Sequence, residues 1–468
     1  MGSAWFDKSL EEIGKGLRSG EVTSLDLLES ACEAHKAHGD KLFAYRIWDE
    51  DGARSQAQAA DEAFRAGRDS GPLQGIPTSV KDLFGVSYMD TFAGSPNPLP
   101  AAWSDEGPVV RAVRDEGAVI TGKTHMVEFA FGGLGTNAHW SIPRNPWDAT
   151  HHRAPGGSSS GAGVSLIEGS ALLALGSDTA GSVRVPASVT GTVGLKVTAG
   201  RWPLDGIVPL SPTLDTPGIL TRTAADAALA FEVIDARCAG REARAPAVAA
   251  EIGSINIGIC EDHFFSDCPE DIADPVRAAI GELKGAGARV SEFRLPETND
   301  AFDLFCKGSV VASELESFLA NDLPGWGDTL DPIITLRLAG ATELTSDEIS
   351  RRRSLMKDLS SAADERLASI DVLVSPTVPI TAPKLEDVAD LKPYSAANLA
   401  ALRNTCIANL LKLCAITLPV GLDKAGIPVG MQCIAGPGQE DKLLAVALAF
   451  ERVLGTSRDR LGKAPIGA

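Results

Sequence analysis

The sequence predicts an α/β fold built on a largely buried sheet, and three observations indicate this class. Short apolar or β-branched runs alternate with longer segments rich in Ala, Glu, Gln and Arg, as expected when strands alternate with helices. Of the 468 residues, 44% are hydrophobic and 22% are charged, which is typical of an ordinary globular protein. No run approaches 18 uninterrupted apolar residues, so no membrane span is predicted.

The elements follow in chain order from periodicity and capping residues. Thr23 is suited to cap a helix that has Asp26 in its first turn, where the helix dipole favours an acid. Residues 161–167 are a small-residue helix candidate followed by an apolar strand candidate, and residues 296–345 are less regular. The predicted helices are two within 8–38, then 51–68, 109–115, 272–286, 345–368 and 440–454, and the predicted strands are 42–48, 78–80, 118–121, 255–260, 289–293 and 372–375.

Composition argues against several kinds of partner. The 43 Lys and Arg against 62 Asp and Glu give a net charge of −19, which repels nucleic acid and anionic membrane. The eight cysteines are scattered without a CxxC pair, as in a cytoplasmic protein with reduced thiols. His151 and His152 are adjacent and point in different directions, so no metal is expected.

The chain shows no feature that would divide it. It has no internal repeat, low-complexity linker or charge block, so one domain over residues 1–468 is expected. Its N-terminus lacks a basic region followed by an apolar run, so no secretory signal is expected. The irregular stretch 296–345 is open to two interpretations, the rim of a substrate pocket or a surface excursion.

Three glycine-rich segments carry a lysine and two serines. Lys81 lies in GIPTSVKD, Ser158 in APGGSSSGAG and Ser182 in GSDTAGSVRVP. The helix and strand candidates between the serines form one unit that folds back and brings both hydroxyls together. A serine nucleophile needs a neighbouring base, which is usually histidine. The only histidine after Ser159 is His263, so Lys81 is the candidate base.

These segments resemble the amidase signature family of C–N hydrolases. The family pattern GIPxxVKD appears at 75–82, the PGGSSGG loop at 155–161 and the DTGGSxRxPA stretch at 178–187, in the family's order and spacing. The signature core covers about residues 72–200. Weaker matches extend the resemblance to nearly the whole chain, at 72–77, 144–148, 193–201, 375–379 and 426–432.

The resemblance implies a fold and a set of catalytic roles. The fold is a central mixed β-sheet flanked by helices on both faces. Ser182 is the nucleophile, Ser158 holds a cis peptide bond and relays a proton, and Lys81 is the base. No metal or organic cofactor is expected. Ala180 and Ser160 stand where family members usually have glycine, and the Ala180 methyl is tolerated if φ is negative there.

The residues around the nucleophile have supporting roles. The small residues before Ser182 predict a tight turn that aims successive N–H groups at one point, as an oxyanion hole requires. Asp178 and Arg184 are interpreted as a scaffold pair. Residues 130–133 are interpreted as a pocket wall or as a turn. The oxyanion-hole candidates are Thr179, Ala180, Gly181 and Ser182, and the substrate-binding candidates are Gly132, Gly133, Ala130 and Met126.

The environment predicted for Lys81 bears on its role as a base. An exposed lysine is protonated at neutral pH, but burial disfavours the charged form and lowers the pKa. Apolar residues precede Lys81, as at the end of a buried strand. Asp82 would raise the pKa if it approached the ammonium, but strand alternation predicts that it faces the other way. His125 is interpreted as a structural histidine.

The sequence therefore predicts a serine hydrolase that cleaves a C–N bond of a small amide-like substrate through an acyl-enzyme. An anilide or a carbamate substrate, and esterase or urethanase activity, are hypotheses from the resemblance. One alternative is the amide-cleaving component of a tRNA-dependent amidotransferase, which belongs to the same family. Another is a GxSxG α/β-hydrolase esterase that uses Ser159. A homodimer is left open, and a binding protein without activity has no support because all three chemical residues are present.

Overall fold

The predicted sheet is present and runs through the chain. The computed structural model describes residues 2–307, 310–339 and 344–466. Within these residues, the strands are β1 (Tyr45–Trp48), β2 (Pro77–Lys81), β3 (Val119–Thr124), β4 (Leu173–Ser177), β5 (Val193–Lys196), β6 (Pro217–Thr221), β7 (Asn256–Ile259), β8 (Arg289–Glu292), β9 (Val372–Pro376), β10 (Cys414–Leu422) and β11 (Pro428–Ala435).

The strands form one mixed sheet. Its order is β1-β3-β2-β4-β6-β5-β10-β11-β9-β7-β8. Strand β2 pairs in parallel with β3 and β4, and β7 pairs in parallel with β8 and β9. The remaining pairs are antiparallel, including the long β10–β11 pair at the centre. Every residue of β2, β3, β4 and β5 is buried, as expected of strands covered on both faces.

Helices cover the sheet. In the described parts of the chain they are α1 (Leu10–Ser19), α2 (Ser24–Leu42), α3 (Glu50–Arg65), α4 (Pro108–Asp115), α5 (Ser160–Glu168), α6 (Arg184–Thr190), α7 (Ala224–Cys238), α8 (Glu261–Phe264), α9 (Glu270–Gly285), α10 (Glu297–Cys306), α11 (Val310–Asp322), α12 (Pro332–Ala339), α13 (Ser346–Leu367), α14 (Leu391–Leu402), α15 (Cys406–Leu410), α16 (Glu440–Leu454) and α17 (Ser457–Leu461). No helix of these segments is long and apolar enough to cross a membrane.

Most predicted elements are confirmed to within a few residues. Thr23 caps α2 as predicted: its hydroxyl accepts from the Asp26 N–H, and the Asp26 carboxylate accepts from the Thr23 N–H. The strand predicted for 42–48 begins only at Tyr45, because α2 continues to Leu42. The prediction of an irregular stretch at 296–345 is wrong, since its described part contains α10, α11 and α12. Residues 308, 309 and 340–343 lie outside the described residues.

Small residues let α5 pack deep in the molecule, next to the predicted catalytic segments. A Cβ on Gly161 would lie 2.0 Å from the Ala44 carbonyl oxygen, and one on Gly163 would lie 2.3 Å from the Thr190 hydroxyl. Only glycine permits such close approach. Helix α5 is therefore held in close contact with these neighbours. Because Ser158 precedes α5 and Ser182 follows β4, this packing places both serine loops at one end of the same unit.

Candidate active site

Lys81 is the last residue of β2, and its ammonium group is fully buried. Its Nζ lies 2.7 Å from the Ser158 hydroxyl and 2.9 Å from the Ser177 hydroxyl. Burial lowers the pKa of Lys81 to about 7, although the carboxylates of Asp215 and Asp178 act in the opposite direction. At neutral pH a substantial fraction of this lysine is therefore uncharged and able to accept a proton.

Asp82 faces away from Lys81, as strand alternation predicts. Its Oδ1 lies 3.0 Å from the Nζ of Lys123, and both side chains are buried. Lys123 also donates to the Thr91 hydroxyl at 2.7 Å. The neighbouring carboxylate thus has its own cation, which leaves the low pKa of Lys81 undisturbed.

The Ser158 loop approaches its neighbours closely. The Gly157–Ser158 peptide bond is cis, the form that the resemblance implies. The Gly157 N–H donates to the Gly133 carbonyl at 2.8 Å, and the Ser158 carbonyl accepts from the Val127 N–H at 3.1 Å. A Cβ on Gly157 would lie 2.6 Å from the Gly135 nitrogen, so a glycine is required here. The loop is held by main-chain contacts, and its serine side chain is directed to Lys81.

The Ser182 loop contacts the Ser158 loop directly. The Ser159 N–H donates to the Ser182 carbonyl at 3.3 Å. Gly181 has φ of 137°, and a Cβ there would lie 2.1 Å from the Thr405 hydroxyl. Ala180 is not among the described residues with positive φ, so its methyl group is tolerated as expected. The structure therefore brings the segments that carry Lys81, Ser158 and Ser182 into contact.

Asp178 organises the turn before the nucleophile. Its carboxylate accepts from the N–H groups of Gly181 at 2.7 Å and Val183 at 3.1 Å, and from the Arg184 guanidinium at 3.0 and 3.1 Å. Both charged side chains are completely buried. Burial raises the pKa of Asp178, but Arg184, Lys196 and Asn409 together outweigh it and hold the pKa at about 2. Arg184 also donates to Asn409 and Gln432.

One of the four oxyanion-hole candidates is already engaged. Because the Gly181 N–H is bonded to Asp178, it does not point at a reacting carbonyl. The N–H groups of Thr179, Ala180 and Ser182 have no hydrogen-bond partner among the described residues. The geometry therefore corrects the expectation for Gly181 and leaves three candidate donors.

A cavity of about 350 Å³ opens beside Ser182. Ala130 and Gly132 line it as expected, but Gly133 and Met126 do not, which corrects that part of the predicted pocket wall. Gly133 lies behind the wall, where its N–H donates to Asn398 at 2.6 Å. Met126 is 1% exposed and belongs to the hydrophobic core.

The opposite wall of the cavity comes from helices α10 to α14, which include much of the stretch 296–345. Its surface is mainly apolar with three basic side chains. The lining residues from these helices and their connections are Leu304, Phe305, Cys306, Lys307, Val310, Val311, Ala312, Arg337, Arg352, Met356, Ser395, Asn398, Leu399 and Leu402.

Sequence reasoning missed two polar groups next to Lys81. Ser177 immediately precedes the DTAGS stretch, and this adjacency to Asp178 was an available signal. Asp215 lies more than 30 residues further on with no motif around it. It accepts from the Thr179 hydroxyl at 2.6 Å, and burial raises its pKa to about 6. Only the three-dimensional fold shows that its charge acts on the pKa of Lys81.

The alternative nucleophile Ser159 has different surroundings. Its hydroxyl donates to the Ser177 carbonyl at 3.3 Å. The His263 ring lies 3.4 Å from the Arg403 carbonyl, and no contact joins it to Ser159 within the described residues. His125 is buried with its pKa lowered to about 4, as befits a structural histidine. The geometry does not assemble a Ser–His pair for an esterase.

Two other features lie apart from this site. A cavity of about 510 Å³ between Ser9 and Thr456 contains none of the three predicted catalytic residues. Among the described residues, no group of three or more His, Cys, Asp or Glu side chains is arranged to hold a metal ion. The 350 Å³ cavity, by contrast, is lined by Ser182.

Comparisons with known proteins agree along nearly the whole chain. A family model described as Amidase matches residues 26–444. The chain is 47% identical to 2-amino-5-chloromuconic acid deaminase of Comamonas testosteroni, covering 97% of this chain and 98% of that protein. It is 31% identical to a glutamyl-tRNA(Gln) amidotransferase subunit of Myxococcus xanthus (strain DK1622), covering 95% and 97%. A crystal structure of an amidase superposes with a TM-score of 0.85 at 30% identity, covering 96% and 100%.

Proposed function

The chain belongs to the amidase family, and we propose that it is a hydrolase of small C–N substrates with Ser182 as nucleophile, Ser158 as relay and Lys81 as base. The observation that carries this proposal is the contact of 2.7 Å between the buried Lys81 Nζ and the Ser158 hydroxyl, beside the loop of Ser182. A lysine acts as a base only when its environment favours the neutral form. Full burial supplies that condition here.

The mechanism follows from the positions of these groups. Neutral Lys81 accepts the Ser158 hydroxyl proton while Ser158 accepts that of Ser182, and the Ser182 oxygen attacks the substrate carbonyl. The negative charge that develops on the carbonyl oxygen is stabilised by the N–H groups of Thr179, Ala180 and Ser182. Ser158 then returns the proton to the leaving nitrogen. Water hydrolyses the acyl-enzyme through the same relay.

A second candidate reaction is hydrolytic deamination. It is favoured by the relative at 47% identity, whose name says that it removes an amino group from 2-amino-5-chloromuconic acid. In such a reaction water adds across the C=N bond of an imine tautomer and ammonia leaves, so a carbonyl replaces the C–N bond. The same proton relay would activate the water and protonate the nitrogen. No acyl-enzyme forms on this route, which allows the two to be distinguished.

The amidotransferase alternative has weaker support. The amidotransferase relative shares 31% identity against 47% for the deaminase, over similar lengths. We therefore favour an enzyme that acts on a small molecule without a tRNA-dependent partner. A cytoplasmic location is supported by the cysteines, because all eight lie within the described residues and none is in a disulfide.

Hydrolysis of a small panel tests the proposal. The panel contains a primary amide, an anilide, an aryl ester, a carbamate and 2-aminomuconate, and ammonia or the leaving group is measured. Ser182→Ala is expected to lower kcat/KM by about 10⁴-fold or more, and Lys81→Ala by nearly as much, because members of one relay act as a unit. A trapped acyl-enzyme with an amide or ester would separate acyl transfer from deamination.

The matched control is Ser159→Ala. This substitution removes a hydroxyl one residue from Ser158 that donates to the Ser177 carbonyl and has no role in the relay. It is expected to retain activity. If Ser159→Ala were inactive while Ser182→Ala kept its turnover, the nucleophile would be Ser159 and the proposal would be wrong.

A further inference from the structure

The wall of the cavity beside the nucleophile carries three basic side chains that differ in their partners. The Nζ of Lys307 lies 2.5 Å from Asp303, and the Nε of Arg352 lies 2.8 Å from Glu348. Arg337 is not paired with a carboxylate of any described residue. Of the three basic side chains in this wall, Arg337 is therefore the one without a carboxylate partner among the described residues.

Arg337 is oriented by the loop that forms the facing wall. It lies on α12, and its guanidinium sits 4.0 Å from the centre of the Phe131 ring. Its Nη1 also donates to the Phe131 carbonyl. A Cβ on Gly132 would lie 3.7 Å from this nitrogen, so Gly132 adjoins the guanidinium at the cavity wall. The side chain is thus fixed at the cavity rather than free to extend into solvent.

The charge of Arg337 has a chemical consequence. Burial lowers the pKa of the guanidinium, although the neighbouring Tyr394 acts in the opposite direction, and an arginine stays protonated throughout the pH range in which proteins function. Withdrawing a charge from water is unfavourable unless an opposite charge pairs with it. A guanidinium also presents parallel N–H donors that match the two oxygens of a carboxylate. An entering carboxylate would supply the missing partner.

We propose that Arg337 anchors a carboxylate of the substrate, so that the substrate class is small organic acids whose carboxylate is remote from the hydrolysed C–N bond. This inference rests on the proposed function, because it takes Ser182 as the site of reaction. Arg337 and Ser182 line the same cavity of about 350 Å³. That volume is near the lower end of the range for ligand pockets, roughly 300–1,000 Å³, and it fits one small acid.

The remaining wall supports the same orientation. The same cavity is lined by apolar side chains such as Leu304, Phe305 and Leu402. These side chains suit a short hydrocarbon chain and offer no charge that would compete with Arg337 for a carboxylate. The chain of the substrate would lie across this surface, with its carboxylate at Arg337 and its C–N bond at Ser182.

A pair of isosteric substrates tests the anchor. Adipamate has a carboxylate at one end and a carboxamide at the other, whereas adipamide has a carboxamide at both. The wild-type enzyme is expected to prefer adipamate by about 100-fold in kcat/KM, and Arg337→Gln to remove that preference mainly through KM, because one partner of a charge pair is lost. Arg337→Lys is expected to recover part of it. Equal losses on both substrates would overturn the proposal.

The matched control is Arg351→Gln, which removes the same charge from α13 at a side chain that is 78% exposed. It is expected to leave both rates unchanged. Calorimetry with Ser182→Ala provides a readout that does not need turnover. If Ser182→Ala binds adipamate more tightly than adipamide, and Ser182→Ala/Arg337→Gln does not, the anchor is supported. That result holds even if the wild type cleaves neither compound. Failure to cleave would count against the proposed function alone. Equal binding of adipamate with and without Arg337 would overturn it.

Discussion

Two regions that face each other across the cavity are built differently. The motif core, residues 75–82 and 154–187, holds its charged groups in complete burial with partners for each, as in the Asp178–Arg184 pair. The helical wall, residues 297–307, 310–339 and 346–402, includes ion pairs that reach solvent. Lys307 and Asp303 are 60% and 63% exposed, and Leu336 is 54% exposed. Under the two proposals above, the reaction depends on the core and the choice of substrate depends on the wall.

The difference has an energetic basis. A buried charge that loses its partner is destabilised strongly, because water does not reach it. An exposed charge is screened, so its pairs contribute little and are easily exchanged. Substitutions of buried charged residues in the core are therefore expected to affect folding and chemistry together. Substitutions in the wall are expected to alter binding with little effect on folding.

The largest effect is expected from breaking the core pair. Arg184→Leu leaves Asp178 charged and buried without its guanidinium, and it is expected to lower the free energy of unfolding by about 3–5 kcal/mol. The folded-state pKa of Asp178 is about 2, below the unfolded value, so the pair contributes fully at neutral pH and is lost only as pH falls toward 2. Urea unfolding at pH 7 measures the loss.

The control for this prediction is an exposed pair. Arg277 and Glu261 are 48% and 45% exposed and lie 2.7 Å apart. Arg277→Leu is expected to cost less than about 1 kcal/mol. If the two variants were equally destabilised, burial would not be what distinguishes the motif core from the rest of the molecule.

Within the Ser182 loop the sequence was informative because the contacts are local, whereas the Lys81–Ser158 contact spans 77 residues and was expected only from the family resemblance. Asp178 and Arg184 are six positions apart, and the buried strand end at Lys81 followed from local apolar residues. Asp215 was not predictable, because its contact with Thr179 spans 36 residues without a local pattern.

The helical wall was predicted less well, since its helices have weak sequence signals. The stretch 296–345 was expected to be irregular, yet its described residues form α10, α11 and α12. Likewise, Gly133 and Met126 were expected in the pocket from the family resemblance. The Gly133 N–H donates to Asn398 instead, and Met126 lies in the hydrophobic core.

A smaller effect is expected from the charge around Lys81. Its pKa of about 7 predicts that kcat/KM rises with pH, by about tenfold between pH 6 and pH 8, as the neutral amine forms. Asp215 raises this pKa, so in Asp215→Asn the rising limb of the plot of kcat/KM against pH is expected to move to lower pH. The measurement is the position of the limb rather than the height of the plateau, because loss of the Thr179 contact also affects the rate.

The control is Asp205→Asn, a substitution at an exposed residue that is expected to leave the limb in place. A limb that stayed fixed in Asp215→Asn, or moved to higher pH, would mean that Lys81 is not the group that titrates. The role of Lys81 as the base would then be wrong.

The smallest effect is expected at Gly132, whose loop contacts the helical wall. A Cβ on Gly132 would lie 2.5 Å from the Tyr394 hydroxyl of α14, so Gly132→Ala forces that hydroxyl to move. Because φ of Gly132 is not positive, the backbone itself accepts alanine. Gly132→Ala is expected to lower kcat/KM about five-fold, within the range for a crowded packing contact. Tyr394→Phe removes the crowded oxygen, so Gly132→Ala/Tyr394→Phe is expected to recover the rate of Tyr394→Phe alone. If Tyr394→Phe did not rescue Gly132→Ala, the loss of activity would come from a contact other than the one with the Tyr394 hydroxyl.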